Sequence, residues 1–163
     1  MKQRYLVAVA LVVVVAALGS AAAVPDERVL VVADAETGET YLETPVENGT
    51  VVALEYTHSV EKTRVYEAYT VHDDRLVMSR MEFESFGWGL PSRAEVTREN
   101  GTFIYDPPGS YERLTVAPGR IAGHRLHVGD DTYDLVAVSD ARSVTLSIQR
   151  RSVLANVLDG ADR

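Results

Sequence analysis

An all-β fold, a single antiparallel β-sandwich or barrel, is what this sequence predicts, and three observations carry it. Clusters of glycine, proline, aspartate and asparagine recur roughly every eight to twelve residues, the spacing of turns between short strands. The runs between them are rich in valine, tyrosine and threonine and often alternate apolar with polar residues. The chain has 163 residues, enough for one domain with a substantial core and short for two.

The first 24 residues stand outside that fold. Met1-Lys2-Gln3-Arg4 is a basic start, residues 5–18 are uninterruptedly apolar, and Ala21 and Ala23 fit an A-x-A cleavage site before Pro25. This is the layout of a secretory signal peptide. The apolar stretch is also about long enough to span roughly 30 Å of hydrocarbon as an uncleaved transmembrane helix, tying the chain to the membrane. Both readings place basic residues inside and residues 25–163 outside the cytoplasmic membrane. The predicted organisation is therefore a signal peptide or membrane anchor over 1–24 and an extracytoplasmic β domain over 25–163.

Taken in order, Arg28 to Asp34 is a continuous apolar strand, turned by Ala35 to Glu39 into Thr40 to Glu43. Pro45 to Gly49 connects to a strand ending at His58, and a second strand carries Glu67. Asp73-Asp74 turns that strand into Arg75 to Phe83, and a loop with Gly87, Trp88, Gly89 and Pro91 follows. Ala94 to Arg98 and Thr102 to Tyr105 flank Asn100-Gly101, a type I′ hairpin signal. After the stiff break at Asp106-Pro107-Pro108-Gly109, strands are expected over 113–116, 125–128, 132–138 and 143–148. Only the tail reads as helix: Ser152 caps it, Val153, Leu154, Val157 and Leu158 share a side, and Gly160 ends it.

The hairpin around residues 60–63 is the candidate site. Alternation puts Val52, Leu54, Tyr56 and His58 on one face of its first strand and Val65, Glu67, Tyr69 and Val71 on one face of its second. Both apolar faces point inward only if paired positions sum to an odd number. The tightest such register sets His58 opposite Val65 and Tyr56 opposite Glu67, with Val60 to Thr63 as the connection. His58 and Glu67 are then diagonal neighbours. A carboxylate on a half-buried face must pair or neutralise, so the cluster is either a satisfied polar knot fixing register or an acid–base pair.

Other chemistry is thinner. Ser59 follows His58 on the strand and so faces the other way, which denies it that base, and no G-x-S-x-G elbow occurs. His124 and His127 are three apart, on opposite faces of a strand, so no metal spacing is read and no cofactor is expected. The glycines around Trp88 suit either an anion-presenting loop or a turn over a sheet end. Asn48-Gly49-Thr50 and Asn100-Gly101-Thr102 are glycosylation sequons and natural hairpin turns alike.

Composition narrows the setting. Formal charge is −8, with 24 acidic against 16 basic residues, and only Lys2 and Lys62 are lysine. A hydrated carboxylate surface with screened self-repulsion suits a halophilic protein working in concentrated salt. An acidic, arginine-using protein from a GC-rich genome has the same composition. No basic stripe exists to bind nucleic acid. Cysteine is absent, which removes disulfides, thiolate metal sites and a lipid-modified cysteine.

Tyr56-Thr57-His58-Ser59-Val60-Glu61-Lys62-Thr63 with Val65 and Glu67, then Phe83 and Gly87-Trp88-Gly89-Leu90-Pro91, resembles the family called domain of unknown function 1850. These are small exported or membrane-anchored bacterial and archaeal proteins. The resemblance runs from about Val29 to Val144, and Trp88 stands where it implies a smaller residue. It implies an accessory protein of a tripartite solute transporter of the TAXI type, with the permease or the solute-binding protein as partner. No catalytic role comes with it. The expected function is thus a non-enzymatic extracytoplasmic accessory module. Tyr56, His58, Ser59, Glu67, Gly87, Trp88, Gly89 and Pro91 form its ligand or interaction surface. The alternatives are a small enzyme using His58 and Glu67, or a structural envelope module.

Overall fold

The computed structural model describes residues 27–85, 96–106 and 108–151. The chain divides into two units. Arg28–Gln149 is the one built of these residues, while Met1–Glu27 with Arg150–Arg163 lies almost wholly outside them. Strands β1 (Glu27–Asp34), β2 (Thr40–Pro45), β3 (Val51–Thr57), β4 (Arg64–His72) and β5 (Arg75–Phe83) come first. After them come β6 (Thr97–Glu99), β7 (Thr102–Tyr105), β8 (Ser110–Tyr111), β9 (Leu114–Val116), β10 (Arg125–Val128), β11 (Asp131–Asp134), helix α1 (Leu135–Ser139) and β12 (Val144–Arg151).

Two sheets form. The smaller has the order β2-β1-β12-β9, and the larger β11-β10-β3-β4-β5-β7-β6 with β8 also on β5. Leu30 and Val32 of β1 and Leu146 of β12 share one core with Leu54, Val71 and Leu126 of the large sheet. The architecture is therefore two packed sheets, and no closed barrel forms among the described residues. A second, smaller core of Val65, Met81 and Phe83 lies along β4 and β5.

β5 shows how the chain reconciles an irregular pattern with one buried face. Ala68 pairs with Arg80 but Tyr69 with Met78, so Ser79 is an extra residue, and its hydroxyl donates to the Ala68 carbonyl at 3.2 Å. Such a bulge resets alternation. Leu76 and Met78 on one side of it and Met81 and Phe83 on the other all join the cores. At the Asn100-Gly101 turn both residues have positive φ, 49° and 92°, as a type I′ turn requires. The sequon residue Asn48 accepts the Asp73 N–H at 2.8 Å, tying the β2–β3 and β4–β5 turns together.

Two expectations change, and a third falls outside the described residues. The strand expected over 132–138 ends at Asp134, whose side chain caps α1 by accepting from Val136 N and Ala137 N. The apolar run Leu135 to Val138 turns helical because that cap is in place, and Asp140 closes it in the left-handed region. The helix expected after Ser152 lies outside the described residues. The expected transmembrane helix is corrected: among the described residues no helix is long and apolar enough to cross a membrane. The stretch behind that expectation, 5–24, is itself outside the described residues.

Candidate functional site

The β3–β4 hairpin keeps the parity the sequence demands and slips by two residues. Tyr56 pairs with Val65, Leu54 with Glu67 and Thr57 with Arg64. His58 N donates to Thr63 O at 2.8 Å and Lys62 N to His58 O at 3.0 Å, so the connection is Ser59 to Lys62. It has the expected four residues, moved one position toward the N-terminus, with Lys62 at φ 58° absorbing the reversal. This corrects the predicted register: His58 stands level with Thr63 at the hairpin's end, not with Val65. Its Nδ1 accepts the Glu61 N–H at 3.2 Å. Ser59 is exposed in the turn.

The carboxylate and the tyrosine do meet. Tyr56 Oη donates to Glu67 Oε1 at 2.8 Å, and Tyr69 Oη donates to Oε2 at 3.0 Å. Glu67 sits half-buried on the core-facing side, between Leu54 on β3 and Met81 on β5. Both phenols are pushed well above their ordinary pKa, first by burial and then by the Glu67 charge. They stay protonated and serve as donors. Tyr111 packs edge-on against Tyr69 at 6.0 Å, so the pair stands in an aromatic wall.

The histidine of this cluster is His124, which the sequence reading set aside. Its ring stacks on Tyr56 at 4.6 Å and 13°. Its Nδ1 accepts the Gly119 N–H at 3.2 Å, which puts the hydrogen of the neutral ring on Nε2. Burial lowers its pKa, against the pull of the Glu67 charge. Parity alone places His124 on the same side as Leu126 and opposite His127, which faces Tyr66 instead. The missing signal was strand order. Once β10 is known to pair with β3, His124 falls beside Tyr56.

Gly87, Trp88, Gly89 and Pro91 lie outside the described residues. The last residue described before them, Ser85, touches the hairpin turn through Thr63 Oγ1 at 3.4 Å and Glu61 Oε2 at 3.3 Å. Among the described residues no group of three or more His, Asp and Glu side chains is arranged to hold a metal.

On the opposite face of the large sheet, Arg64 bridges Glu55 at 2.8 Å and Glu82 at 3.0 Å, and Arg80 also pairs with Glu82. This ladder of alternating charge spans β3, β4 and β5 and is internally neutral.

The Glu67 anchors test directly. Tyr69→Phe removes one donor to a charged acceptor and is expected to lower unfolding free energy by about 1.5 kcal/mol, read by urea denaturation. An unchanged midpoint would mean that water replaces the phenol without loss.

A family model described as Domain of unknown function (DUF1850) matches residues 52–135, just over half of the chain. The matched span runs from β3 to the first residue of α1, so it contains the whole Tyr56–Glu67–Tyr69–His124 cluster. No curated protein and no solved structure gives a match.

Proposed function

Because this chain belongs to the family described as Domain of unknown function (DUF1850), we propose that it is an extracytoplasmic accessory module of a TAXI-type tripartite solute transporter, acting by binding and not by catalysis. The permease or the solute-binding protein is its partner. The hairpin end with His58 and Ser59, the Tyr56–Glu67 pair and the Gly87 to Pro91 segment form the contact surface. The family's association with such transporters supports the setting, and one observation supports the mode of action. Each acid–base group of the cluster is already committed: Glu67 accepts from two phenols, and His124 Nδ1 accepts from a backbone N–H. Groups so held give a fixed, pre-organised surface rather than a proton-transfer pair poised near neutrality. The alternative with His58 and Glu67 as acid and base has no comparable support, since the observed register sets His58 level with Thr63.

The test is co-purification of the full chain from native membranes in concentrated salt. Recovery of a transporter subunit is expected, and recovery of the chain alone as a monodisperse monomer would overturn the proposal. His58→Ala is expected to abolish solute uptake while lowering the melting temperature by only a few degrees, because the half-buried ring lies outside both cores and gives up the hydrogen bond from the Glu61 N–H.

A further inference from the structure

A groove of about 360 Å³ opens where the end of β3 meets the loop before β10, with Glu55, Arg64, Ile121, Gly123 and Arg125 in its wall. Its volume falls at the small end of the range that small-molecule sites occupy. Its shape is fixed by the backbone. Thr57 N donates to Ala122 O at 2.8 Å, and Gly123 N donates to Gly119 O at 2.9 Å, so the loop is clamped to the strand and to itself. Gly123, at φ 63°, leaves the wall open: nothing lies within 4 Å of where a Cβ would be.

The charges in this groove do not cancel. Glu55 stands directly across from Arg125 in the β3–β10 pairing, yet its carboxylate is taken by Arg64, which in turn shares Glu82 with Arg80. That network is neutral. Arg125 is left over, exposed, with no hydrogen bond or ion pair among the described residues. Asp134, directly across from Arg125 on β11, has its carboxylate turned to capping α1, so neither flanking acid closes an ion pair on this guanidinium. Beside it Ile121 is 80% exposed, the most exposed large apolar side chain described. A planar cation next to an unburied apolar group is complementary to an oxyanion carrying an apolar tail, and a single guanidinium matches the single charge of a carboxylate better than the near-double charge of a phosphate ester.

We infer that this groove binds a small organic carboxylate, its anionic oxygens on Arg125 and its apolar portion against Ile121. The groove adjoins the Glu67 cluster and shares Tyr56 with it, while Glu67 itself is not in the groove wall. Binding neutralises Arg125 and covers Ile121 without displacing any existing pair. Because Ala122 is tied to Thr57, occupancy also reaches β3 through the loop.

Hexanoate and its uncharged analogue hexanamide are suitable probes, titrated into the isotope-labelled full chain at constant salt and followed by backbone amide resonances. Saturable shifts confined to Thr57, Ala122, Gly123 and Arg125 are expected with hexanoate and not with hexanamide. Arg125→Gln is expected to weaken hexanoate about tenfold or more, and Ile121→Ser by a smaller factor, with spectra otherwise native. Ser59→Ala, an exposed turn position of the contact surface proposed above and outside the groove wall, is expected to leave hexanoate affinity unchanged, which separates the two sites. Equal binding of hexanamide, or undiminished binding by Arg125→Gln, would overturn the inference. So would engagement of the same residues by a blocked acidic peptide with no response to hexanoate, an outcome that would make the groove a docking site for a protein segment.

Discussion

Leu126→Ala is expected to lower the unfolding free energy by about 2–5 kcal/mol, the range for a fully buried leucine cut back to alanine. Leu126 is 0% exposed in the main core, and β10 carries it between Leu54 on β3 and Tyr133 on β11. With strands paired on both sides, the backbone cannot move in to fill the space, so the void persists and the loss belongs in the upper part of that range. Leu126→Met keeps the volume and is expected to lose less than about 1.5 kcal/mol. For a chain of this length each kcal/mol corresponds to a fall of about 2–4 °C in melting temperature. Chemical denaturation of the two variants side by side measures the difference. Equal midpoints would mean that the site collapses freely despite the strands paired on both sides of β10. The outcome bears on function as well, because Arg125 begins this strand and His124 immediately precedes it. A loosened β10 would disturb both the Glu67 cluster and the groove.

What the sequence could specify, and what it could not, divides along a physical line. Local rules placed β1, β4, β5, β7 and β10 to within a residue at each end, because alternation and turn residues are local. Parity also held: a one-residue slip in the β3–β4 hairpin would have turned Tyr56 and Glu67 outward, and the observed pairing keeps them inward. The two-residue slip was invisible to parity. It was decided by where the four-residue turn closed, through Lys62 in the left-handed region, a choice the flanking residues do not advertise. His124 was missed for a different reason. Its place beside Tyr56 depends on β10 pairing with β3, a contact between segments about seventy residues apart, and no periodic pattern encodes strand order. Leu135 to Val138 reads as strand by its branched residues, and the Asp134 cap outweighed that preference. Composition revealed the acidic excess but could not show that no ion pair among the described residues closes on Arg125, because pairing is a property of the folded faces.

Asp34 is the second place where a single substitution is expected to remove much of the stability, and its signature is a dependence on pH. Its side chain is 2% exposed and satisfied from four directions. Oδ1 accepts from Glu36 N at 2.9 Å and Thr37 N at 2.7 Å, while Oδ2 accepts from Tyr41 Oη at 2.8 Å and pairs with Arg142. One carboxylate thus holds the β1–β2 turn and joins it to the segment before β12. The Thr37 N–H is the largest influence on its pKa and the Tyr41 hydroxyl the next, and together with Glu36 and Arg142 they hold it far below the usual carboxylate range despite burial. Asp34→Ala leaves two backbone donors and a phenol without their acceptor and is expected to lower the melting temperature by several degrees at pH 7. Asp34→Asn keeps an acceptor for the turn and separates out the charge. Because the folded pKa is depressed, the charged form's stabilisation is fully present above the unfolded value of about 3.9 and is lost as pH falls toward the folded one. The stability gap between the native chain and Asp34→Asn is therefore expected to be constant above about pH 5 and to close steadily below about pH 4. Denaturation midpoints measured from pH 7 down to pH 2 trace it. A gap that stayed constant through the acid range would mean that the carboxylate holds the turn by shape alone, with its charge contributing nothing.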